Sequence, residues 1–222
     1  MTKHDAGWDW NRALQEMPGR WTEVADELFS FSRQLRAAGC RRVYDLGCGA
    51  GRHSAFLALQ GFEVTASDVS ASALATTRAA LDAAGVDASL QRLDMADWPF
   101  DDEYFDALVA FNVVYHATCS EVESVLAQAR RVLAPGGLLF VTLKSTLDAQ
   151  CGEGRELAPF TWAPAAGIEA GVAHYYADEA EARRLLRSFD LISMVLKQEL
   201  PVTGKSERHR AHWVIWAQKP PA

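Results

Sequence analysis

The chain predicts an α/β fold, a doubly wound and mostly parallel sheet closed by an antiparallel strand pair. Three observations carry that expectation. Short apolar runs alternate with helical stretches along most of the 222 residues, a rhythm that builds parallel strands covered by helices on both faces. A glycine-rich turn, Gly47-Cys48-Gly49-Ala50-Gly51, sits between one apolar run and a helical pattern, as at the ligand-binding turn of open α/β sheets. The last two apolar runs have no helix between them, so they pair antiparallel.

Residues from about Trp8 to Ala38 read as helical. Trp21, Val24, Ala25, Leu28, Phe29 and Leu35 form an apolar stripe, and Pro18-Gly19 divides the segment. This stretch either caps the ligand cleft or covers the sheet. Val43 to Leu46 is the first strand, and Arg52 to Gln60 the first helix after it, stopped by Gly61. Phe62 to Ser67 is the second strand. Ser70 caps a helix that runs to Ala84 and stops at Gly85. Ala88 to Leu93 and Tyr104 to Asn112 are the third and fourth strands. Ser120 is the expected N-cap of the next helix, whose Val122, Val125, Leu126, Ala129, Val132 and Leu133 share a face. Gly137 to Lys144 is the fifth strand. A helix near Asp178 to Ser188 and strands at Leu191 to Gln198 and Ala211 to Gln218 follow, the last two joined by Pro201 to Arg208. Between them, Ser145 to Tyr176 reads as irregular, with Phe160, Trp162, His174, Tyr175 and Tyr176 among glycines and prolines. A long loop at the strand C-terminal rim is a lid or binding segment.

Composition narrows the function. The formal net charge is -7 and the basic residues are scattered in short pairs, which argues against a nucleic-acid substrate. The four cysteines, Cys40, Cys48, Cys119 and Cys151, form no C-x-x-C pair, so neither a zinc site nor a redox motif is expected, and a reduced, cytoplasmic setting is. His209 and His212 are three apart in an extended segment, on opposite faces, and make no metal pair. No metal site is expected anywhere in the chain. The first residues show no apolar leader pattern, and no apolar run approaches the roughly 20 residues that span a membrane.

The turn itself is chemically specific. Dinucleotide sites use G-x-G-x-x-G, with the pyrophosphate on a helix N-terminus. Here the spacing is G-x-G-x-G and Asp45 stands two residues before it. A carboxylate there repels a pyrophosphate and suits a cation. About twenty residues on, the second strand ends at Asp68, an acid placed to hold a ribose hydroxyl pair. The segment Asp45-Leu46-Gly47-Cys48-Gly49-Ala50-Gly51-Arg52 resembles motif I of the class I S-adenosylmethionine-dependent methyltransferases. Leu93 to Phe100, Phe105 to Asn112 and Leu133 to Val141 resemble that family's later motifs, so the likeness covers about half of the 222 residues. Among subfamilies the chain is similar to small-molecule methyltransferases, including the tellurite-resistance type.

The resemblance implies a Rossmann-like, seven-stranded sheet with a terminal antiparallel hairpin and an N-terminal helical cap. It implies one domain over 1–222: a cap at 1–40, a cofactor-binding core at 41–144, a substrate lid at 145–177, and a C-terminal helix and strand pair at 178–222. It further implies S-adenosylmethionine as cofactor and methyl transfer to a small-molecule acceptor, with no nucleic acid or membrane as partner. In the family pattern Asp45 faces the methionine ammonium, while Gly47, Cys48, Gly49 and Gly51 give backbone approach. Arg52 pairs with a carboxylate near the turn or simply starts a helix. Asp68 accepts the ribose hydroxyls, Val69 packs on the adenine, and Asp94 accepts from the adenine amino group beside a Met95 backbone contact. Asn112 offers its carbonyl to the ammonium, and Asp97 competes with Asp94. Tyr115 and His116 belong at the cleft mouth, with His116 the first choice of general base and His174, with Tyr175 and Tyr176, the second. Lys144 could steer an anionic acceptor. In-line displacement at a sulfonium methyl needs alignment and water exclusion more than a base. A non-catalytic cofactor-binding sensor or subunit is the alternative; a nicotinamide oxidoreductase is disfavoured by the turn.

Overall fold

A computed structural model describes residues 21–167, 169–200 and 209–221. The Pro18-Gly19 break, the helical stretch before Trp21 and the whole Pro201 to Arg208 connection lie outside the described residues.

Alternating helices and strands produce the expected sheet. Helix α1 (Asp26–Ala37) precedes β1 (Arg42–Leu46), followed by α2 (Arg52–Leu59), β2 (Glu63–Asp68), α3 (Ala71–Ala84), β3 (Ser89–Arg92) and β4 (Phe105–Ala110). Then come α4 (Cys119–Val132), β5 (Leu133–Ser145), β6 (Arg155–Ala158), β7 (Thr161–Ala163), β8 (His174–Ala177), α5 (Glu179–Leu185), β9 (Asp190–Glu199) and β10 (Arg210–Gln218). The main path runs β3-β2-β1-β4-β5, all parallel. Strand β10 adds antiparallel to β5, and β9 antiparallel to β10. These seven strands are the sheet expected from the terminal hairpin and the parallel core.

Side-chain alternation sends the two faces of each strand into separate cores. Tyr44, Leu108, Leu139, Val141 and Ile215 face α4 and α5, packing with Val122, Val125, Leu126 and Leu185. Val43, Val109, Phe140 and Val214 face the other way, against Leu28, Phe31 and Leu35 of α1, Leu57 of α2 and Leu81 of α3. Phe31 lies 5.3 Å from the Phe140 ring and 5.5 Å from that of Trp216. Helix α1 is therefore part of a covering layer. The residues just before it reach toward the glycine turn: Arg52 Nη1 donates to the Glu23 carbonyl, and the Ala25 N–H donates to His53 Nε2.

Local signals at helix ends mostly hold. Ser70 accepts from the Ala73 N–H, and Gly85 closes α3 in the left-handed region. The cap of α4 is Thr118, not Ser120: Thr118 and Glu121 form a reciprocal capping box, which satisfies two end groups at once where a serine alone satisfies one.

The stretch Ser145 to Tyr176 departs from the expectation of irregular chain. It carries β6 and β7, an antiparallel pair, and β7 pairs in turn with β8. Strand β8 joins the main sheet through Lys144↔Tyr176 and Ser145↔Ala177. Because β10 occupies the other edge of β5 at Lys144, β8 takes the edge that β4 leaves free beyond Ala110. The small sheet thus stands over the C-terminal ends of the parallel strands. Short, interrupted strands of three and four residues leave too little alternation to read from sequence. Among the described residues, no helix is long and apolar enough to cross a membrane.

Candidate functional site

The site begins where β1 ends. Gly47, Gly49 and Gly51 all have positive φ, a backbone that glycine adopts without steric cost. At two of them the packing is decisive as well. A Cβ on Gly47 would lie 2.4 Å from Val113 Cγ2, and one on Gly51 2.7 Å from the backbone Cα of Thr77. Thr77, on α3, clamps the turn: its Oγ1 donates to the Gly49 carbonyl at 2.9 Å and lies 3.5 Å from Cys48 Sγ. Gly51 is therefore demanded by helix packing in this chain, whatever it presents to a ligand.

Both expected acids lie beside the turn. Asp45 is buried and accepts a 2.5 Å hydrogen bond from Ser54 Oγ. Burial pushes its carboxyl up from 3.8 to about 7; the Ser54 bond and Arg52 work against the rise, and Asp68 adds to it. Asp68 ends β2. Its Oδ2 accepts from the Gly49 N–H at 3.0 Å and its Oδ1 from the Ser70 N–H at 2.9 Å. Two such bonds, one to each oxygen, fix the orientation of the carboxylate.

Val69 follows Asp68, half-buried, its carbonyl accepting from Arg92 Nε. Asp94 is partly buried and its Oδ1 accepts from the Ala96 N–H, while its rival Asp97 is exposed. The Met95 side chain packs into the core, and its carbonyl accepts from Trp98 Nε1. Arg52 stacks over Phe111 at 5.3 Å in addition to its bond to Glu23. Asn112 lies past β4 with φ 55, a left-handed conformation that asparagine tolerates better than most residues. Thr142 holds it there, accepting from the Asn112 N–H at 2.7 Å and donating to Oδ1 at 3.1 Å.

The other end of the site lies under the small sheet. Tyr115 and His116 follow β4, and the Tyr175 N–H donates to the Tyr115 carbonyl at 2.8 Å. That bond ties β8 to this loop and brings His174 against it. The His116 and His174 rings meet edge-on with centroids 4.9 Å apart, and Tyr115 lies 4.6 Å from His116, 6.1 Å from His174 and 5.7 Å from His212. Glu169 comes between the imidazoles: its Oε2 is 3.2 Å from His174 Nε2 and its Oε1 is 3.9 Å from His116 Nε2. Burial pushes the His116 imidazole down to about 3, reinforced by His174. It stays neutral at ordinary pH and takes a proton reluctantly, which weakens it as a general base. Burial opposes the charge on Glu169, but contact with His174 and the nearby His116 and Lys144 outweigh it and hold the carboxyl below its usual range. Lys144 is 4% exposed, so it is a wall of the site rather than a surface guide. Its Nζ donates to Gln150 Oε1 at 2.8 Å, lies 3.9 Å from Asp148, and stands over the Tyr176 and Tyr115 rings.

The sequence offered no sign of Glu169, which stands in a glycine-rich loop, nor of Ser54, Thr77 and Thr142, common residues whose roles come from their partners. The fold gathers His116, Glu169 and His174 with one ligand atom from each inside 4.8 Å, although His116 lies far from the other two in the chain. His209 stays out of this group, bonded to Gln198.

With that geometry in view, the comparisons are specific. Residues 43–137 match the family model described as a methyltransferase domain. A ubiquinone biosynthesis O-methyltransferase of Rhizobium leguminosarum bv. trifolii is 31% identical over 137 residues, covering 60% of this chain and 54% of that protein. The chain spans about half the length of the curated relatives it matches. In structure it is similar to a SAM-dependent methyltransferase from Methanosarcina mazei, at TM-score 0.69 and 22% identity, covering 82% of this chain and 93% of the other. It is also similar to a Burkholderia thailandensis 1,6-didemethyltoxoflavin N1-methyltransferase solved with 1,6-didemethyltoxoflavin and S-adenosylhomocysteine, at TM-score 0.67 and 21% identity over 96% and 86% of the two chains.

Proposed function

We propose that this chain, whose residues 43–137 match the methyltransferase-domain family model, transfers a methyl group from S-adenosylmethionine to a small-molecule acceptor by in-line displacement. The carrying observation is the glycine turn set between two buried acids, Asp45 and Asp68, at the C-terminal ends of β1 and β2. In this reading Asp45 neutralises the methionine ammonium, together with the Asn112 carbonyl. Gly47, Cys48, Gly49 and Gly51 bring backbone to the ligand. Asp68 accepts the ribose hydroxyls. Val69, Asp94 and Met95 frame the adenine, and Arg52 draws the chain before α1 across the entrance.

The reaction needs little else. A lone pair of the acceptor forms a bond to the sulfonium methyl carbon, the carbon–sulfur bond breaks, and its electrons stay on sulfur. S-adenosylhomocysteine is left, and an acceptor proton, where there is one, passes to solvent. Holding the two reactants in line away from water supplies most of the acceleration. Tyr115, His116 and His174 form the acceptor end, where a planar acceptor meets aromatic rings. A small molecule is favoured over nucleic acid by the net charge of -7, and by relatives whose names specify ubiquinone and toxoflavin chemistry. The four free cysteines support a cytoplasmic location.

Thermal melts with S-adenosylmethionine, S-adenosylhomocysteine and NAD test the reading. Stabilisation by the first two and not by NAD is expected. Stabilisation by NAD alone overturns it.

A further inference from the structure

We propose that His116, Glu169 and His174 hold a divalent transition-metal ion through two imidazole nitrogens and a carboxylate, with its open positions facing the acceptor end of the site. Metal binding goes beyond the methyl-transfer reading and does not depend on it.

His174 is fully buried on β8. Its Nδ1 lies 3.0 Å from the Val172 carbonyl. A carbonyl only accepts, so Nδ1 carries the proton and donates. In the neutral ring Nε2 then presents its lone pair, and it has no hydrogen bond of acceptable geometry. What it faces is Oε2 of Glu169, 3.2 Å away. Two electron-rich atoms directed at each other across a buried gap repel unless a cation stands between them. A ring nitrogen whose partner nitrogen is anchored to a carbonyl is also the arrangement that orients metal-binding histidines.

The remaining geometry suits an ion. Oε1 of the same carboxylate lies 3.9 Å from His116 Nε2, and the three ligand atoms all fall within 4.8 Å of one another. Donors held about 2.1 Å from a common centre stand about 3.4 Å apart in a tetrahedron. The Glu169–His174 edge, at 3.2 Å, is close to that length, and the distances to His116, within 4.8 Å, must close by up to about 1.4 Å. Glu169 stands in a turn between Gly167 and Gly171, where the Gly171 N–H donates to the Pro164 carbonyl and the Val172 N–H to the Glu169 carbonyl. Two imidazoles and one carboxylate suit zinc, iron, cobalt or nickel better than magnesium or calcium. Three protein ligands leave at least one position for an acceptor atom. The neighbouring Lys144 charge is met by Asp148, 3.9 Å away, and its Nζ is directed to Gln150.

Metal-stripped protein titrated with cobalt(II) alone, read by visible absorption, and with zinc(II) alone, read by calorimetry, tests the proposal without any acceptor or cofactor. About one equivalent should bind, with cobalt bands of a nitrogen-and-oxygen site. Glu169→Gln, close to isosteric, should weaken binding by about a hundredfold or more, as should His174→Ala. His209→Ala, outside the cluster, should leave it unchanged. If His174→Ala fails to fold, the near-isosteric Glu169→Gln variant carries the test. No cobalt band, or equal affinity in Glu169→Gln and the parent, would mean that the gap is bridged by a proton as an ion pair only, and overturns the proposal.

Discussion

The turn between β1 and α2 holds Asp45, Gly47, Gly49 and Gly51 in one continuous stretch, while the far end of the site draws His116 and Lys144 from separate parts of the chain to the segment that carries Glu169 and His174. At the first end the backbone is the instrument. Positive φ angles, two amides on Asp68 and the Thr77 clamp leave little freedom. At the second end side chains carry the chemistry, and one backbone bond, Tyr175 to Tyr115, holds β8 against the loop after β4. A rigid, local end suits a ligand that never changes. An end assembled from separate segments can be re-lined without disturbing the first.

The contrast predicts the largest effects at the turn. Gly51→Ala should cost about 3 kcal/mol or more, from left-handed strain plus overlap with the Thr77 backbone, and lower Tm by on the order of 10 °C. Gly61→Ala is the comparison: its φ is also positive, but a Cβ there meets open space, so about 1 kcal/mol is expected. Equal losses in calorimetric melts would show that the clamp adds nothing. Next, Asp68→Ala should weaken S-adenosylhomocysteine binding by about 1–3 kcal/mol, and an unchanged Kd by titration calorimetry would remove the assigned role of this acid.

The third effect depends on pH. The Asp45 carboxyl is raised by burial to about 7 in the folded, ligand-free protein. Between about pH 4 and 7 the folded state keeps a proton that the unfolded chain releases, so this group lowers ligand-free stability as pH rises through that window. Cation binding works in the opposite direction, since it needs the carboxylate. Cofactor affinity should therefore fall by up to about tenfold per unit below pH 7. Asp45→Asn should flatten that profile, and a profile as steep as the parent's would place the titrating group elsewhere. The smallest effect belongs to the assembled end. Thr118→Ala removes the capping box that starts α4 just after His116. It should cost about 1 kcal/mol of stability and leave S-adenosylhomocysteine affinity unchanged; a matching loss of affinity would show that the two ends are coupled.

Much of this was open to reading in advance. Ser70 and Gly85 bound α3 as their residue types require, and the strands carrying Asp45 and Asp68 end where the motif implies. The errors share a cause. Thr118 displaced Ser120 because a cap is chosen by its reciprocal partner, Glu121, as well as by residue type. The stretch from Ser145 to Tyr176 looked irregular because its strands draw their stability from pairing with one another and with the end of β5. Glu169 was invisible because nothing local marks it.

By itself the amino-acid order determined the α/β class, the glycine turn and the pair of acids around it, because those depend on backbone conformation and strand periodicity within short windows of chain. Tertiary structure alone decided that α1 is a covering layer, that Gly51 answers to Thr77, and that two histidines meet a glutamate under a small sheet. Contacts between residues far apart in the chain leave no periodic trace; they exist only once the sheet has closed and brought its edges together.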